Sequence, residues 1–351
     1  MRSKLLGICL LLAGFLSGQS LRKDKNYYVA AIGFWNVENL YDTINDPKKD
    51  DEEFLPTGTN AWTGPRYKEK INHLAKVVSE MATDATPEGL SILGLCEIEN
   101  KHCLDDLVKD PQLKARNYQT ILIEGPDARG VDPGLIYNPK HFKVTKIVTY
   151  HLTLPSDTAH KTRDQLVVSG NFLGDPLTVI VNHWPSRRGG ELVSRQNRIA
   201  AAKMARHIAD SVSALSPNNK VILMGDLNDD PPNESVKIGL KTFGDMKEAK
   251  DGYYFNPMEP LYDQGIGTLA WQDSWNLFDQ TILNKALWYS DYKSFQYYKA
   301  FVFNKPYLKS DHGNFKGYPF RTYSGGAYTA GYSDHFPVFV LLVKENTSPK
   351  K

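Results

Sequence analysis

The sequence predicts an α/β protein made of packed β-sheets with a few helices outside them. Strand-like segments far outnumber helical ones along the 351 residues, and they do not alternate with helices as a doubly wound parallel sheet requires. Neither a Gly-x-Gly-x-x-Gly stretch nor a Walker motif occurs, so the nucleotide-cofactor folds lose their main support.

Taken in order, Val29–Trp35 is rich in strand formers and runs into the polar Asn36-Val37-Glu38-Asn39. An acidic loop punctuated by Pro and Gly is expected from Asp42 to Pro65. Ile71, Leu74, Ala75, Val78 and Met81 then recur at three- and four-residue spacing, which predicts an amphipathic helix. The apolar run Leu90–Leu95 is too short for a buried helix and reads as a buried strand closed by Cys96-Glu97. Further strands are expected over Tyr118–Ile123, Val131–Tyr137, Phe142–Leu152, Asp164–Leu173 and Leu177–Val181, with turns at Asn138-Pro139 and Gly174-Asp175-Pro176. A helix from Glu191 to Ser213 turns Ile199, Ala202, Ala205 and Ile208 inward, and Lys220–Met224 is another buried strand. The last strands fall at Asp279–Leu283, Ala300–Phe303 and Phe336–Leu342. Between them Lys305 to Tyr332, loaded with Gly, Tyr and Ser, reads as a long loop of the kind that often carries function. With no internal repeat and no dividing linker, one domain is expected, its core at about residues 29–343.

The first twenty residues read as an address. Arg2 and Lys4 precede the apolar run Leu5–Leu16 and then Ser17-Gly18-Gln19-Ser20, the layout of a secretory signal. That run is too short to anchor the chain in a bilayer. Residues 21–351 are therefore expected as a secreted, soluble, monomeric product, periplasmic or extracellular. Cys9 leaves with the signal, and Cys96 and Cys103 are compatible with one bridge but too few for a disulfide scaffold. Without Arg2 and Lys4 the 42 basic residues fall to parity with the 40 acidic ones, so any attraction for a polyanion must be local.

Polar side chains recur at the strand ends: Asn36, Glu97, Asn182-His183, Asp226-x-Asn228 and Ser333-Asp334-His335. Any one of them alone reads better as a turn former or cap. Gathered on one sheet edge they would form a rigid site. The carboxylates of Glu97 and Asp334 suit a hard ion, Mg²⁺ or Mn²⁺, that polarises a phosphoryl oxygen. His335 fits a general base or an orienter of water, and His183, Asn36 and Asn228 fit donors to charge developing on phosphorus oxygens. A Ser-His-Asp nucleophile is the rival use of these residue types, but the nucleophile elbow is absent. Cys96 reads as core and Glu99 as a solvated turn residue. The cluster Arg187, Arg188, Arg195 and Arg198 reads either as a solvated helix start or as a phosphate-gripping loop.

Six blocks in this order resemble the endonuclease/exonuclease/phosphatase superfamily, with secreted deoxyribonuclease-I-like bacterial nucleases as the nearest match. They are Trp35-Asn36-Val37-Glu38-Asn39, Leu95-Cys96-Glu97-Ile98-Glu99, Arg129-Gly130-Val131-Asp132, Val181-Asn182-His183-Trp184-Pro185-Ser186, Gly225-Asp226-Leu227-Asn228-Asp229 and Ser333-Asp334-His335. The resemblance implies a sandwich of two mixed β-sheets with helices outside, the four-layer deoxyribonuclease-I-like architecture. It implies Asn36, Glu97 and Asp334 around the metal, and His183, Asp226, Asn228 and His335 as catalytic residues. It also pairs His335 with an aspartate on a preceding strand, matched here by Asp279. Arg129, from a block of less uniform role, joins Arg187, Arg188 and Arg195 as candidate substrate contacts.

The function expected on these grounds is hydrolysis of DNA or RNA by in-line attack of water, with Mg²⁺ as the ion and Mn²⁺ or Ca²⁺ as alternatives. The aromatic loop from Tyr318 to Tyr332 is expected to offer stacking surface. A phosphatase or lipid phosphodiesterase of the same superfamily is the alternative, and a binding module without catalysis is disfavoured because each position the chemistry needs holds a competent residue.

Overall fold

The computed structural model describes residues 21–22, 24–289 and 291–347. The secretory signal read in residues 1–20 lies outside the described residues. The first two thirds of the chain carry strands β1 (Tyr27–Leu40), β2 (Ile92–Ile98), β3 (Gln119–Leu122), β4 (Asp132–Tyr137), β5 (Phe142–Tyr150), β6 (Gln165–Phe172), β7 (Asp175–His183) and β8 (Lys220–Asp226). The remainder carries β9 (Thr242–Phe243), β10 (Tyr254–Phe255), β11 (Leu269–Trp271), β12 (Ser274–Asn276), β13 (Asp279–Leu283), β14 (Gln296–Val302), β15 (Tyr323–Ser324), β16 (Ala327–Tyr328) and β17 (Val338–Glu345). The main helices are α1 (Gly64–Glu80), α2 (Lys101–Lys109) and α3 (Glu191–Leu215).

Two mixed sheets result, in the orders β14-β17-β1-β2-β4-β3 and β5-β6-β7-β8-β13-β10-β9. Alternation along β1 explains how they stack. Ala30, Ile32 and Phe34 face the second sheet, where Val179, Val181, Ile222 and Met224 meet them. Ala31 and Trp35 point the other way, onto Leu74, Val78 and Leu104 of α1 and α2. On the far side Ile180, Val221 and Leu223 pack on Ala202, Ala205 and Ile208 of α3. The order is helix, sheet, sheet, helix. Central strands covered on both faces read as unbroken apolar runs, which is why Leu90–Leu95 and Lys220–Met224 stood out in the sequence.

The helix expected around Ile71–Met81 begins earlier, at Gly64, with Pro65 in its first turn. Helix α2, which the sequence reading passed over, follows an Asn100 side chain that accepts the Cys103 N–H at 3.0 Å. Cys96 and Cys103 are both free and buried, packed on opposite faces of the first sheet, so the bridge the sequence allowed does not form. The expected long loop from Lys305 to Tyr332 is broken by two 3₁₀ turns and the β15–β16 hairpin. Among the described residues no helix is long and apolar enough to cross a membrane.

Strand direction decides where the polar tips meet. β1 runs parallel to β2, β7 runs parallel to β8, and β13 and β17 run antiparallel to their neighbours β8 and β1. The exits of β1, β2, β7 and β8 and the entries to β13 and β17 therefore share one end of the sandwich. Register does the rest: His183 and Asp279 both lie opposite Asp226, and Asn36 opposite Cys96. At Gly225 a Cβ would stand 2.3 Å from the Asn182 carbonyl oxygen, so only glycine lets β7 and β8 carry His183 and Asp226 side by side.

Candidate active site

Asp226 is the hub of the shared end. Its Oδ2 accepts from Asn36 Nδ2 at 3.1 Å and lies 3.7 Å from His183 Nε2 and 3.8 Å from His335 Nε2. Glu97 stands next to it: Asn36 Nδ2 also reaches Glu97 Oε1 at 3.2 Å, and His183 Nε2 lies 3.8 Å from that oxygen. The second Glu97 oxygen accepts the Asn39 N–H at 3.0 Å. Glu38, Asn39, Glu97 and Asn228 all adopt left-handed backbone, which for residues with a Cβ stores of order 1–3 kcal/mol each and is a mark of functional sites.

His335 arrives on a turn stitched to β1. Ser333 Oγ donates to the Asn36 carbonyl at 2.7 Å, and Trp35 Nε1 donates to the His335 carbonyl at 2.9 Å. His335 Nδ1 is 2.6 Å from Asp279 Oδ2, and Asp334 Oδ1 lies 4.0 Å from His335 Nε2. Burial opposes a charge on this imidazole, but Asp279, Asp226 and Asp334 outweigh it and hold the pKa well above the usual histidine value. Burial pushes the Asp226 carboxyl up, with Asp279 adding, while His335, the Asn228 N–H and Asn36 pull it down.

His183 is just as enclosed and shifts the other way. Burial and then the guanidiniums of Arg163 and Arg129 depress its pKa well below the usual value. Arg163 donates to the Trp184 carbonyl at 2.7 Å, which also receives Asn228 Nδ2 at 3.0 Å, and it reaches Asp127 at 3.3 Å. Asp127 in turn lies 3.6 Å from Arg129 Nε. The centre thus has a carboxylate side around Glu97, Asp226, Asp279 and Asp334, and a guanidinium side beyond His183.

Several expectations change on contact with this geometry. Asn36, expected as an amide that helps position the metal-bound site, has its Oδ1 accepting the Glu38 N–H at 2.9 Å and its Nδ2 on the carboxylates of Glu97 and Asp226. Asp334, expected as the second acidic site, accepts from Arg321 Nη2 on its Oδ2 at 3.0 Å. Glu99 is no solvated turn residue; it is buried, accepts the Asp42 N–H at 2.6 Å, and burial pushes its carboxyl up to about 8. Among the described residues Asp42, Glu99 and Cys103 place ligand atoms within 4.8 Å of one another, a second acidic cluster one strand-turn from Glu97.

The basic cluster is also mostly spent. Arg187 donates to the Asn228 carbonyl at 2.9 Å and pairs with Asp229 at 3.2 Å, Arg195 lies 3.5 Å from Glu191 and 3.8 Å from Glu234, and Arg198 is wholly buried 2.8 Å from Asp229. Arg188 is exposed, and Arg129 stays half-open. Arg163, Arg321, Glu38 and Lys70 were missed. Only Glu38 carried a signal, as the second acidic-or-amide position of the β1 tip; the others become neighbours of the centre through long-range folding alone.

A divalent cation fits this donor set. Glu97 Oε1 and Asp226 Oδ2 are hard oxygens that share the Asn36 amide and lie 3.8 and 3.7 Å from His183 Nε2, and His183 Nδ1 and Asp279 Oδ1 are buried with no hydrogen-bond partner among the described residues. A two-sheet sandwich with carboxylates, histidines and amides gathered at one end defines a hydrolase of phosphoester bonds. The chain belongs to the Endonuclease/Exonuclease/phosphatase family, whose model it matches over residues 31–344. No curated protein matches it by sequence. Its fold is similar to a D. rerio TDP2 humanised by 14 mutations (15% identity, 90% of this chain and 98% of that one, TM-score 0.54). It is also similar to an endonuclease/exonuclease/phosphatase family protein from Bacteroides thetaiotaomicron (15%, 93% and 99%, 0.54). A third similar structure is a mannosyl-6-phosphatase of the same organism (15%, 89% and 99%, 0.53).

Proposed function

We propose that this chain is a secreted, monomeric, Mg²⁺-dependent phosphodiesterase that hydrolyses nucleic acid by direct attack of water on phosphorus. One observation carries the reading: His183 Nε2 lies 3.8 Å from Glu97 and 3.7 Å from Asp226, and His335 Nε2 lies 3.8 Å from the same Asp226 oxygen. The ion, when bound, supplies Lewis acidity at a phosphoryl oxygen, with Glu97 as the principal carboxylate for it. Asp226, its proton affinity raised by burial, orients the attacking water and takes its proton. His335, held cationic by its three carboxylates, serves better as a donor to the phosphoryl oxygens than as the base the sequence suggested. Neutral His183 and the Asn228 amide donate on the opposite side, where Arg163 and Arg129 add positive field. Water is the nucleophile, so the P–O bond to the leaving group breaks as the new P–O bond forms.

The choice of nucleic acid rests on two supports. A D. rerio TDP2 of similar fold is described in complex with single-strand DNA product. Beside the His335 turn the exposed rings of Trp271 and Phe315 and the half-exposed Trp275 and Tyr318 offer stacking surface, with Trp275 stacked on Phe336. The mannosyl-6-phosphatase of similar fold favours a sugar monoester as the second reading. Purified protein with plasmid DNA, RNA, bis-p-nitrophenyl phosphate, mannose 6-phosphate and inositol phosphates, each with Mg²⁺ or EDTA, separates them. Cleavage of the polymers and the synthetic diester is expected; turnover of the monoesters alone overturns the nuclease reading.

A further inference from the structure

One guanidinium outside the expected basic cluster stands at the reacting centre with part of its surface open. Arg321 Nε donates to Glu38 Oε1 and its Nη2 to Asp334 Oδ2, each at 3.0 Å. These two carboxylates fix the guanidinium plane, yet 47% of the side chain remains exposed. Arg198 makes the useful contrast: it too is paired with an aspartate, but its side chain is fully enclosed and its role ends with the fold. Arg321 instead lines, with Asn39, Asn60, Trp62 and Tyr323, a cavity of about 190 Å³ beside the end of β1. A guanidinium has more N–H donors than its two carboxylate contacts use, and its planar fork matches the oxygens of a phosphoryl group.

What lies behind Arg321 is unusual for a surface cation. Glu38 is buried and also accepts the Thr322 N–H at 2.6 Å. Behind Glu38, the ammonium of Lys70 on α1 lies 3.9 Å from Glu38 Oε2 and donates to Thr322 Oγ1 at 2.6 Å and the Tyr332 carbonyl at 2.7 Å. A wholly buried ammonium is costly unless paired and hydrogen-bonded. Here it clamps both ends of the segment between Arg321 and the Ser333-Asp334-His335 turn.

We propose that Arg321 contacts a phosphoryl oxygen of the bound substrate, and that Glu38 and Lys70 are positioning residues that hold its guanidinium in place. The inference rests on the phosphoesterase reading above. It also adds a cation to the four the sequence favoured: Arg187 and Arg195 are drawn to carboxylates, Arg188 and Arg129 stay open, and Arg321, though paired with two carboxylates, also borders the cavity.

The test uses Arg321→Gln, Arg321→Lys and Lys70→Met in the full chain, with two readouts. These are KM and kcat on bis-p-nitrophenyl phosphate with Mg²⁺, and calorimetric binding of inorganic phosphate. Arg321→Gln should raise KM and weaken phosphate binding roughly tenfold or more, the size of a lost charge-assisted hydrogen bond, with a smaller fall in kcat. Arg321→Lys should recover only part, because an ammonium cannot keep both carboxylate contacts and reach a third acceptor. Lys70→Met should give the same rise in KM, and the double variant little more, because the two act through one group. Should Lys70→Met not fold, the near-isosteric Glu38→Gln takes its place in the cycle. Unchanged phosphate affinity and KM in Arg321→Gln overturn the contact, and fully multiplicative losses in the double variant overturn the positioning role. A wild-type protein that cleaves no phosphoester sinks the functional reading, and phosphate binding then still decides for or against Arg321.

Discussion

The two histidines of the centre share a hub and a degree of burial, but their proton affinities shift in opposite directions. His183 and His335 are 6% and 7% exposed, and each places Nε2 within 3.8 Å of the same Asp226 oxygen. For both, burial is the largest influence and favours the neutral ring. At His183 it acts in concert with Arg163 and Arg129; at His335 it is overridden by Asp279, Asp226 and Asp334. Two side chains of one type beside one carboxylate oxygen thus have their proton affinities driven in opposite directions. What separates them is only which charged groups the neighbouring strands and loops deliver.

The largest effect should come from breaking the cationic member. His335→Ala is expected to lower kcat by roughly 10²–10⁴, the usual worth of a positioned proton donor. Asp279→Asn should cost less alone and almost nothing on top of His335→Ala, since the pair acts as one unit. Multiplicative losses in that double variant would detach Asp279 from the chemistry.

A sharper test reads the imidazoles directly. In a pH titration followed by NMR, the His335 ring should titrate above the ordinary value of about 6.5 and the His183 ring below it. Asp279→Asn should move the His335 midpoint down. Arg163→Gln should move the His183 midpoint up, and only modestly, because burial remains. Coincident midpoints in the wild type would erase the comparison.

The same asymmetry should appear in stability against pH. A raised folded pKa means that the His335 contribution is complete below about 6.5 and is lost as pH rises through its folded value. A depressed one means that the His183 contribution is complete above about 6.5 and is lost as pH falls through its folded value. Thermal melting of Asp279→Asn across pH should therefore show a smaller alkaline decline than the wild type. An identical decline in both would place the alkaline linkage on other groups.

The smallest effect is expected from the helix-start arginines. Arg188→Ala with Arg195→Ala should cost less than about 1 kcal/mol in binding of nucleic acid, the scale of an exposed ion pair. Arg187→Ala should instead lower the melting temperature, because it leaves buried Asp230 without its guanidinium and Asp229 with Arg198 alone. A large KM rise confined to polymeric substrate in the first pair would restore the phosphate-gripping loop.

These differences also mark where the sequence was legible. The tips of β1, β2, β7 and β8 and the entry to β17 could be read because each polar group directly adjoins an apolar run, and strand direction then gathers them automatically. Asp279, at the head of a buried strand, was matched only through the family resemblance. Arg321, Lys70 and Arg163 were not, since their neighbours are between 13 and 283 residues away and no local pattern announces such a contact. Within the arginine cluster the paired Arg187, Arg195 and Arg198 could not be told from the open Arg188, because charge density along the chain says nothing of the carboxylates folding will set against each one. Glu99 misled by adjacency: one turn past Glu97 it looked solvated, yet the β1 exit covers it.

The central claim is that the Glu97–Asp226 end of the sandwich is a metal-dependent phosphoester-cleaving centre, and Glu97→Gln tests it most directly. Hydrolysis of bis-p-nitrophenyl phosphate with Mg²⁺ should be abolished by EDTA in the wild type. In the variant it should fall by more than roughly 100-fold, beyond the loss of an outer partner of a metal ligand, with calorimetric Mg²⁺ binding weakened in parallel and the fold intact by circular dichroism. Hydrolysis that survives EDTA, or a variant with wild-type rate and wild-type Mg²⁺ affinity, would contradict the account.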